Sequence, residues 1–189
     1  MTDLQILPGL TRDEMPAFFC HHGFEVGVEI GVQRGKFSEQ ILKAWPGKLY
    51  LIDPWESQHQ EACYCISDLS QEVHDVWYAE TVERMKLFGD RSVIRRGFST
   101  AEGACFEDES IDFVYLNGNH HSHESMLNNL RMWFPVVRFG GIVAGYNFLD
   151  GDSYGCTLGV KSAVTEFLAN TGKPVYVGPV PWPNWYFWR

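Results

Sequence analysis

The 189-residue chain has no run of basic residues, no apolar stretch near the length of a membrane span, and no cysteine framework. Each absence removes a class of function. Its formal net charge is −9, so it lacks the phosphate-neutralising surface that a nucleic-acid binder requires. Without a span of roughly 20 apolar residues, no membrane-crossing helix is expected. The opening Met1-Thr2-Asp3-Leu4-Gln5 has neither a basic nor an apolar leader segment, so a cytoplasmic protein is the expectation. Five cysteines, an odd number with no repeated C-x-x-C spacing, do not make a disulfide scaffold. Cys63-Tyr64-Cys65, with His59 and His74 nearby, has zinc-ligating residue types but not the paired knuckles of a structural site. Reduced thiols are expected instead.

What is present is ordinary in bulk. Hydrophobic residues make up 45% of the chain and charged residues 21%, which fits one globular domain over 1–189. Aromatics are abundant at 15%, with Trp182, Trp185 and Trp188 close to the C-terminus. Such rings fill cores, and they also wall clefts for sugars and planar ligands. The acidic surface and this aromatic end permit a homodimer without requiring one.

The informative segment is Val26-Gly27-Val28-Glu29-Ile30-Gly31-Val32-Gln33-Arg34-Gly35-Lys36, followed by Leu49-Tyr50-Leu51-Ile52-Asp53. It reads as a strand, a glycine turn opening a helix, and a parallel strand ending on a carboxylate. Glycines let backbone approach a ligand, and a strand-end acid accepts hydrogen bonds from ribose hydroxyls. The loop is Glu29-x-Gly31-x-x-x-Gly35, not the G-x-G-x-x-G of dinucleotide binders. Glu29 would repel a pyrophosphate but suits the ammonium of an amino-acid-like ligand.

Further elements follow in alternation. A capping box at Thr11–Glu14 predicts a short helix over 11–20 as an appendage ahead of the first strand. Later come a helix over 36–44, a strand over 48–52, a helix carrying Val73, Val76, Trp77, Val82, Met85 and Phe88, and a strand over 93–95. Ser99 falls in the turn after that strand. A strand over 111–116, a helix over 122–134, a turn at Gly140-Gly141, a strand over 142–145 and a helix over 159–169 complete the pattern. Segments 174–177 and 184–188 suit an antiparallel pair at the sheet edge. The expected fold is α/β: a Rossmann-like, doubly wound, mostly parallel sheet with helices on both faces and an antiparallel C-terminal edge strand. Ligands in such sheets sit at the carboxyl ends of strands.

The glycine loop and strand-end acid resemble the first motif and following acidic position of class I methyltransferases that use S-adenosylmethionine. The blocks Ile111-Asp112-Phe113-Val114-Tyr115-Leu116-Asn117-Gly118-Asn119-His120, Gly140-Gly141-Ile142-Val143-Ala144-Gly145-Tyr146-Asn147, Gly159-Val160-Lys161-Ser162-Ala163-Val164 and Asn184-Trp185-Tyr186-Phe187 are similar to the small-molecule and sugar O-methyltransferase branch. The resemblance implies that Glu29, Gly31, Gly35, Asp53, Ser99 and Asn117 bind S-adenosylmethionine. It implies a small-molecule acceptor, with a sugar hydroxyl as the family's example, near Asn119, Asn147 and Asp150.

The chain departs from that branch where relatives carry D-G-D-H and H-D-Y. Here stand Asn117-Gly118-Asn119-His120 and Tyr146-Asn147-Phe148. Metal-dependent relatives hold a divalent cation with those acids, and three neutral amides weaken the site for a hard ion. No tightly bound metal is expected; Asp150 and Asp152 are the nearby carboxylates. His120 is then the candidate base for the acceptor hydroxyl and Tyr146 its hydrogen-bonding partner. The cluster His120-His121-x-His123 also has transition-metal residue types. Two other readings remain open at this point: a binding module that has lost catalysis, and a nicotinamide oxidoreductase, which the loop spacing disfavours.

Overall fold

The computed structural model describes residues 4–58, 68–118, 122–153, 156–169 and 171–189, the side chains of 153 and 156 excepted. Strand β1 (Ile6–Pro8) leads to a short 3-10 turn, Arg12–Glu14, and helix α1 (Met15–His21). The capping box forms as expected: the Glu14 carboxylate accepts the Thr11 backbone N–H at 2.8 Å and its hydroxyl at 2.7 Å. There follow β2 (Val26–Ile30), α2 (Lys36–Ala44), β3 (Lys48–Asp53), α3 (Gln71–Met85), β4 (Ser92–Arg96), α4 (Ser99–Gly103), β5 (Ile111–Leu116) and α5 (His123–Trp133). The chain closes with β6 (Val137–Gly145), β7 (Asp150–Ser153), β8 (Cys156–Gly159), α6 (Val160–Leu168), β9 (Val175–Val177) and β10 (Trp185–Trp188).

Eight strands form one sheet in the order β1-β9-β10-β6-β5-β2-β3-β4. Every pairing is parallel except those of β10, which runs antiparallel to both β6 and β9. The C-terminal strand is thus antiparallel as expected, but it is interior and not at the edge. The short β1 pairs in parallel with β9 and forms that edge. Three residues are too few to show a period, so sequence patterning could not reveal β1.

Strand β5 shows why both faces must be covered. All six of its residues are buried. Phe113 and Tyr115 join the core beneath α1 and α2, whereas Val114 and Leu116 join the core beneath α5 and α6. Period-two alternation therefore feeds two hydrophobic layers from one apolar run.

Two local expectations are corrected. Gly140-Gly141 is not a turn, since β6 continues through it. The register steps from Ile111 to Phe113 on β5 while β6 advances from Val137 to Ile142, which makes a bulge. A side chain at Gly141 would meet the Asp112 carbonyl oxygen at 2.3 Å, so the close approach requires glycine. On α3 the apolar spacing located a helix, but the buried residues are His74, Thr81 and Met85, and Val76 is 56% exposed. The helix covers the glycine loop, a polar surface, and its buried side chains are chosen accordingly. The β7–β8 hairpin, rich in Asp, Gly and Ser, had no alternating pattern to betray it. Among the described residues no helix is long and apolar enough to cross a membrane.

Gly27 pairs with Phe113 across β2 and β5. The Phe113 ring lies over it and stacks on Phe19 with centroids 3.8 Å apart. A methyl group at Gly27 would sit 2.1 Å from that ring. Gly27→Ala is therefore expected to lower unfolding stability by roughly 1–3 kcal/mol through overpacking, read from urea denaturation midpoints.

Candidate active site

The strand order reverses between β2 and β5, and the carboxyl ends of β2, β3, β5 and β6 open there into a cavity of about 560 Å³. That volume suits a small-molecule ligand, and the switch point of a doubly wound sheet is where one is expected. Gly31, Asp53, Ser99, Asn117, Tyr146 and Asn147 all line it. Six of the sequence-derived site residues thus meet in one place, although they come from five strand ends.

The glycine loop is held from three sides. Asp53 accepts the Gln33 N–H at 2.9 Å on one carboxylate oxygen and the Trp55 N–H at 2.8 Å on the other. The Gln33 carbonyl accepts the Trp55 indole N–H at 2.7 Å and the Thr81 hydroxyl at 3.1 Å. Gln33 sits at φ 54°, a left-handed conformation costing a non-glycine residue roughly 1–3 kcal/mol. These bonds hold it there. Gly31, at φ 84°, touches the cavity, but its missing side chain makes room for Gly118, whose Cα would lie 2.0 Å from an added Cβ. Gly35 is not part of the cavity wall. It packs against Thr81 at φ 69° as the residue that opens α2. Burial raises the Asp53 carboxyl above its ordinary pKa, opposed by the backbone N–H groups of Gln33, Trp55 and Val32.

Glu29 lies behind the cavity wall and is fully buried. One oxygen accepts the Ser38 hydroxyl; the other accepts the Asn117 amide at 3.1 Å. The same amide nitrogen also donates to the Gly31 carbonyl at 3.1 Å. Asparagine at 117 is therefore a donor to the glycine loop and to Glu29, a role a carboxylate cannot fill. Desolvation pushes the Glu29 pKa up to about 7, against the hydrogen bond from Ser38 and the charge of Arg12.

Residues beyond the glycine loop divide by position. Tyr146 and Asn147 follow β6; burial raises the Tyr146 phenol, so it stays a neutral hydroxyl near pH 7. Among the described residues the Asn147 side-chain oxygen is buried without a hydrogen-bond partner, on a backbone at φ 57°. Ser99 borders the cavity, but its hydroxyl is held by Asn129 and by the Trp133 indole at 2.8 Å. Asp150 is a correction: it accepts the Ser162 N–H at 3.0 Å at the start of α6, and it does not line the cavity. An acid facing unsatisfied N–H groups of a helix start caps it. Asn119, His120 and His121 lie outside the described residues, as do His59, Cys63 and Cys65. His123 approaches Glu166 of α6 at 3.0 Å, off the cavity. Among the described residues, no group of three His, Cys, Asp or Glu side chains is placed to hold a metal ion.

Among the lining residues that the sequence pattern does not mark, Arg12 and His74 carry polar groups into the cavity. Arg12 reaches in from the appendage and stacks over Phe37 and Tyr146 at 4.1 and 4.8 Å from their centroids. Nothing in the strand-loop-strand pattern points to it; only the capping box fixes where its segment starts. His74 lines the cavity with its Nε2 buried and unpartnered. Its sequence signal was a polar residue within an apolar helix stripe.

A family model described as a methyltransferase domain matches residues 28–147. No curated protein matches the chain in sequence. Among solved structures, a candidate caffeoyl-CoA O-methyltransferase from Staphylococcus aureus is 12% identical with a TM-score of 0.68, covering 98% of this chain and 86% of its own. An O-methyltransferase from Bacillus cereus, crystallised in complex with SAH, is 13% identical with a TM-score of 0.66, over 94% and 80% of the two chains. An rRNA methylase from Streptococcus thermophilus is 14% identical with a TM-score of 0.63, over 95% and 97%. At these identities the shared property is the fold, which serves very different acceptors.

Two outcomes follow from the buried acid. An unfolded glutamate ionises near 4.5 and the folded Glu29 near 7, so between these values the folded state binds more protons and stability falls as pH rises. Against Glu29→Gln, the native protein should lose on the order of 2–3 kcal/mol across that window, seen as converging or crossing melting curves. Asn117→Asp places a second carboxylate against Glu29 and the Gly31 carbonyl; its melting temperature should fall further at pH 8 than at pH 5.

Proposed function

This chain belongs to the methyltransferase domain family, and on that premise we propose that it transfers a methyl group from S-adenosylmethionine to an oxygen of a small polar acceptor. The observation that carries this reading is the cavity at the switch point, where a strand-end carboxylate faces the glycine loop. When bound, the donor supplies a methyl group on a sulfonium, and the breaking C–S bond leaves its electron pair on sulfur as S-adenosylhomocysteine.

The residues present fit that group. Each Asp53 oxygen has taken one backbone N–H and keeps lone-pair capacity for ribose hydroxyls. His74 Nε2 and Asn147 Oδ1 are buried polar atoms of lining residues with no hydrogen-bond partner among the described residues, and such atoms are stabilised by a ligand. Glu29 supports the methionine portion by fixing Asn117 and Ser38, as both its oxygens are already hydrogen-bonded.

The acceptor is proposed to be activated without a resident metal. The Asn117 amide is directed inward, Asn147 is neutral, and Asp150 caps α6, a donor set that does not fit a hard divalent cation. Tyr146, held neutral by burial, positions the acceptor hydroxyl by hydrogen bonding. His120, following β5 in sequence, is proposed to take its proton. Nucleic-acid substrates are disfavoured by the net charge of −9.

Isothermal calorimetry tests the donor assignment. S-adenosylhomocysteine should bind and NAD should not; a preference for NAD overturns the reading. Asp53→Ala should weaken S-adenosylhomocysteine by at least about tenfold, or about 1.4 kcal/mol. It should also lower stability by roughly 1–3 kcal/mol, because the part-buried N–H groups of Gln33 and Trp55 lose their acceptor. Turnover should persist in excess chelator, whereas a cofactor-binding module without catalysis would show none on any acceptor.

A further inference from the structure

We propose that the acceptor is a monoanion: a small hydroxylated carboxylic acid whose carboxylate is held by Arg12 and Lys36 in a side cavity beside Tyr146. The proposal rests on the methyl-transfer reading above and names its acceptor class.

The side cavity has a volume of about 360 Å³ and is bordered by Asp13, Gln40 and Trp182. It shares Arg12, Lys36, Phe37 and Tyr146 with the larger cavity. A molecule seated in it therefore abuts the donor site at Tyr146, where the acceptor oxygen belongs. Its walls combine rings with two cations, which suits a compact body carrying one anionic group.

The two cations share a cavity wall, whereas several other basic side chains in this acidic protein face a carboxylate. Arg34 pairs with Glu80, Arg84 with Glu39, Arg96 with Asp75 and Arg138 with Asp112. Among the described residues, neither Arg12 nor Lys36 has a carboxylate within salt-bridge distance. Among the described residues the Arg12 Nε is buried without a hydrogen-bond partner, while Phe37 and Tyr146 flank its guanidinium, which also hydrogen-bonds Tyr146. A buried guanidinium N–H is costly to leave unmade and is well matched by a planar carboxylate. Lys36 is the first residue of α2, where the helix dipole favours an acid and opposes a cation. Its presence there adds positive potential to an end that is already positive. The Arg12 charge favours the ionised form of the buried Glu29 and that of Lys36 favours the ionised form of Glu80, but at these distances both cations keep direct contact capacity for an anion in the side cavity.

The charge count selects the anion. Arg12 and Lys36 against Asp13 leave one net positive charge on the cavity wall. A carboxylate neutralises it, whereas a phosphate dianion would leave excess negative charge in a chain already at −9. The same chemistry is offered by a hydroxylated aromatic acid and by a sugar acid.

The test is an NMR titration of the full chain saturated with S-adenosylhomocysteine, using para-hydroxybenzoate against para-hydroxybenzamide and glucuronate against glucuronamide. At least one acid should bind more tightly than its amide by roughly tenfold or more, and the pair that responds separates aromatic from sugar acceptors. In Arg12→Gln and Lys36→Gln, each shown folded by melting, that preference should shrink to a factor of about two. Equal or absent binding of acid and amide overturns the proposal, as does a preference that survives both substitutions. Tighter binding of glucose phosphate than of glucuronate also overturns it. So does an Arg12→Gln variant that loses S-adenosylhomocysteine affinity but keeps the acid preference, since Arg12 would then serve the donor. A native chain that fails to bind S-adenosylhomocysteine defeats the methyl-transfer reading itself, a result distinct from all of these.

Discussion

One carboxylate, Asp53, holds the site in shape. It ends β3 and accepts a backbone N–H from the glycine loop of one strand and another from the exit of its own strand. Without it, Gln33 would relax from its left-handed conformation and the indole of Trp55 would lose alignment with the Gln33 carbonyl. Helix α3 reinforces the same loop through Thr81 and through the Arg34–Glu80 pair. Function and local stability are therefore coupled in this residue: the oxygens proposed to receive a ligand also fasten the loop.

A second layer lies beneath that clamp. Glu29, Ser38, Asn117 and the Gly31 carbonyl form a hydrogen-bonded unit that runs from the buried Glu29 to the cavity wall. An amide and not an acid at 117 is coherent with this unit, because a second carboxylate against the buried Glu29 would raise the cost of ionising either. The amide converts repulsion into a cross-link between the ends of β2 and β5. The amide at 117 thus has an internal structural reason, whatever the acceptor.

Legibility followed the physics of each signal. Helices α2 and α5 and strand β5 were read nearly to the residue, because apolar periodicity, caps and flanking glycine or proline agree there. Asp53, Asn117 and Tyr146 line one cavity because strand ends in a parallel sheet converge on one switch point. The bulge at Gly140-Gly141 was read as a turn because two glycines look alike in either role; the close approach of the Asp112 carbonyl separates them. Asp150 was placed in the site by proximity in sequence, but the β7–β8 hairpin carries it to the start of α6.

The amino-acid sequence by itself determined the layered α/β plan, the glycine loop and the strand-end acid, since these depend on short-range periodicity and backbone permissiveness. Only the tertiary structure decided that β10 is interior, that the C-terminal β9 meets the N-terminal β1, and that Arg12 joins a cavity built from residues far along the chain. Such pairings depend on which surfaces remain uncovered once the sheet has formed, and no local pattern encodes that.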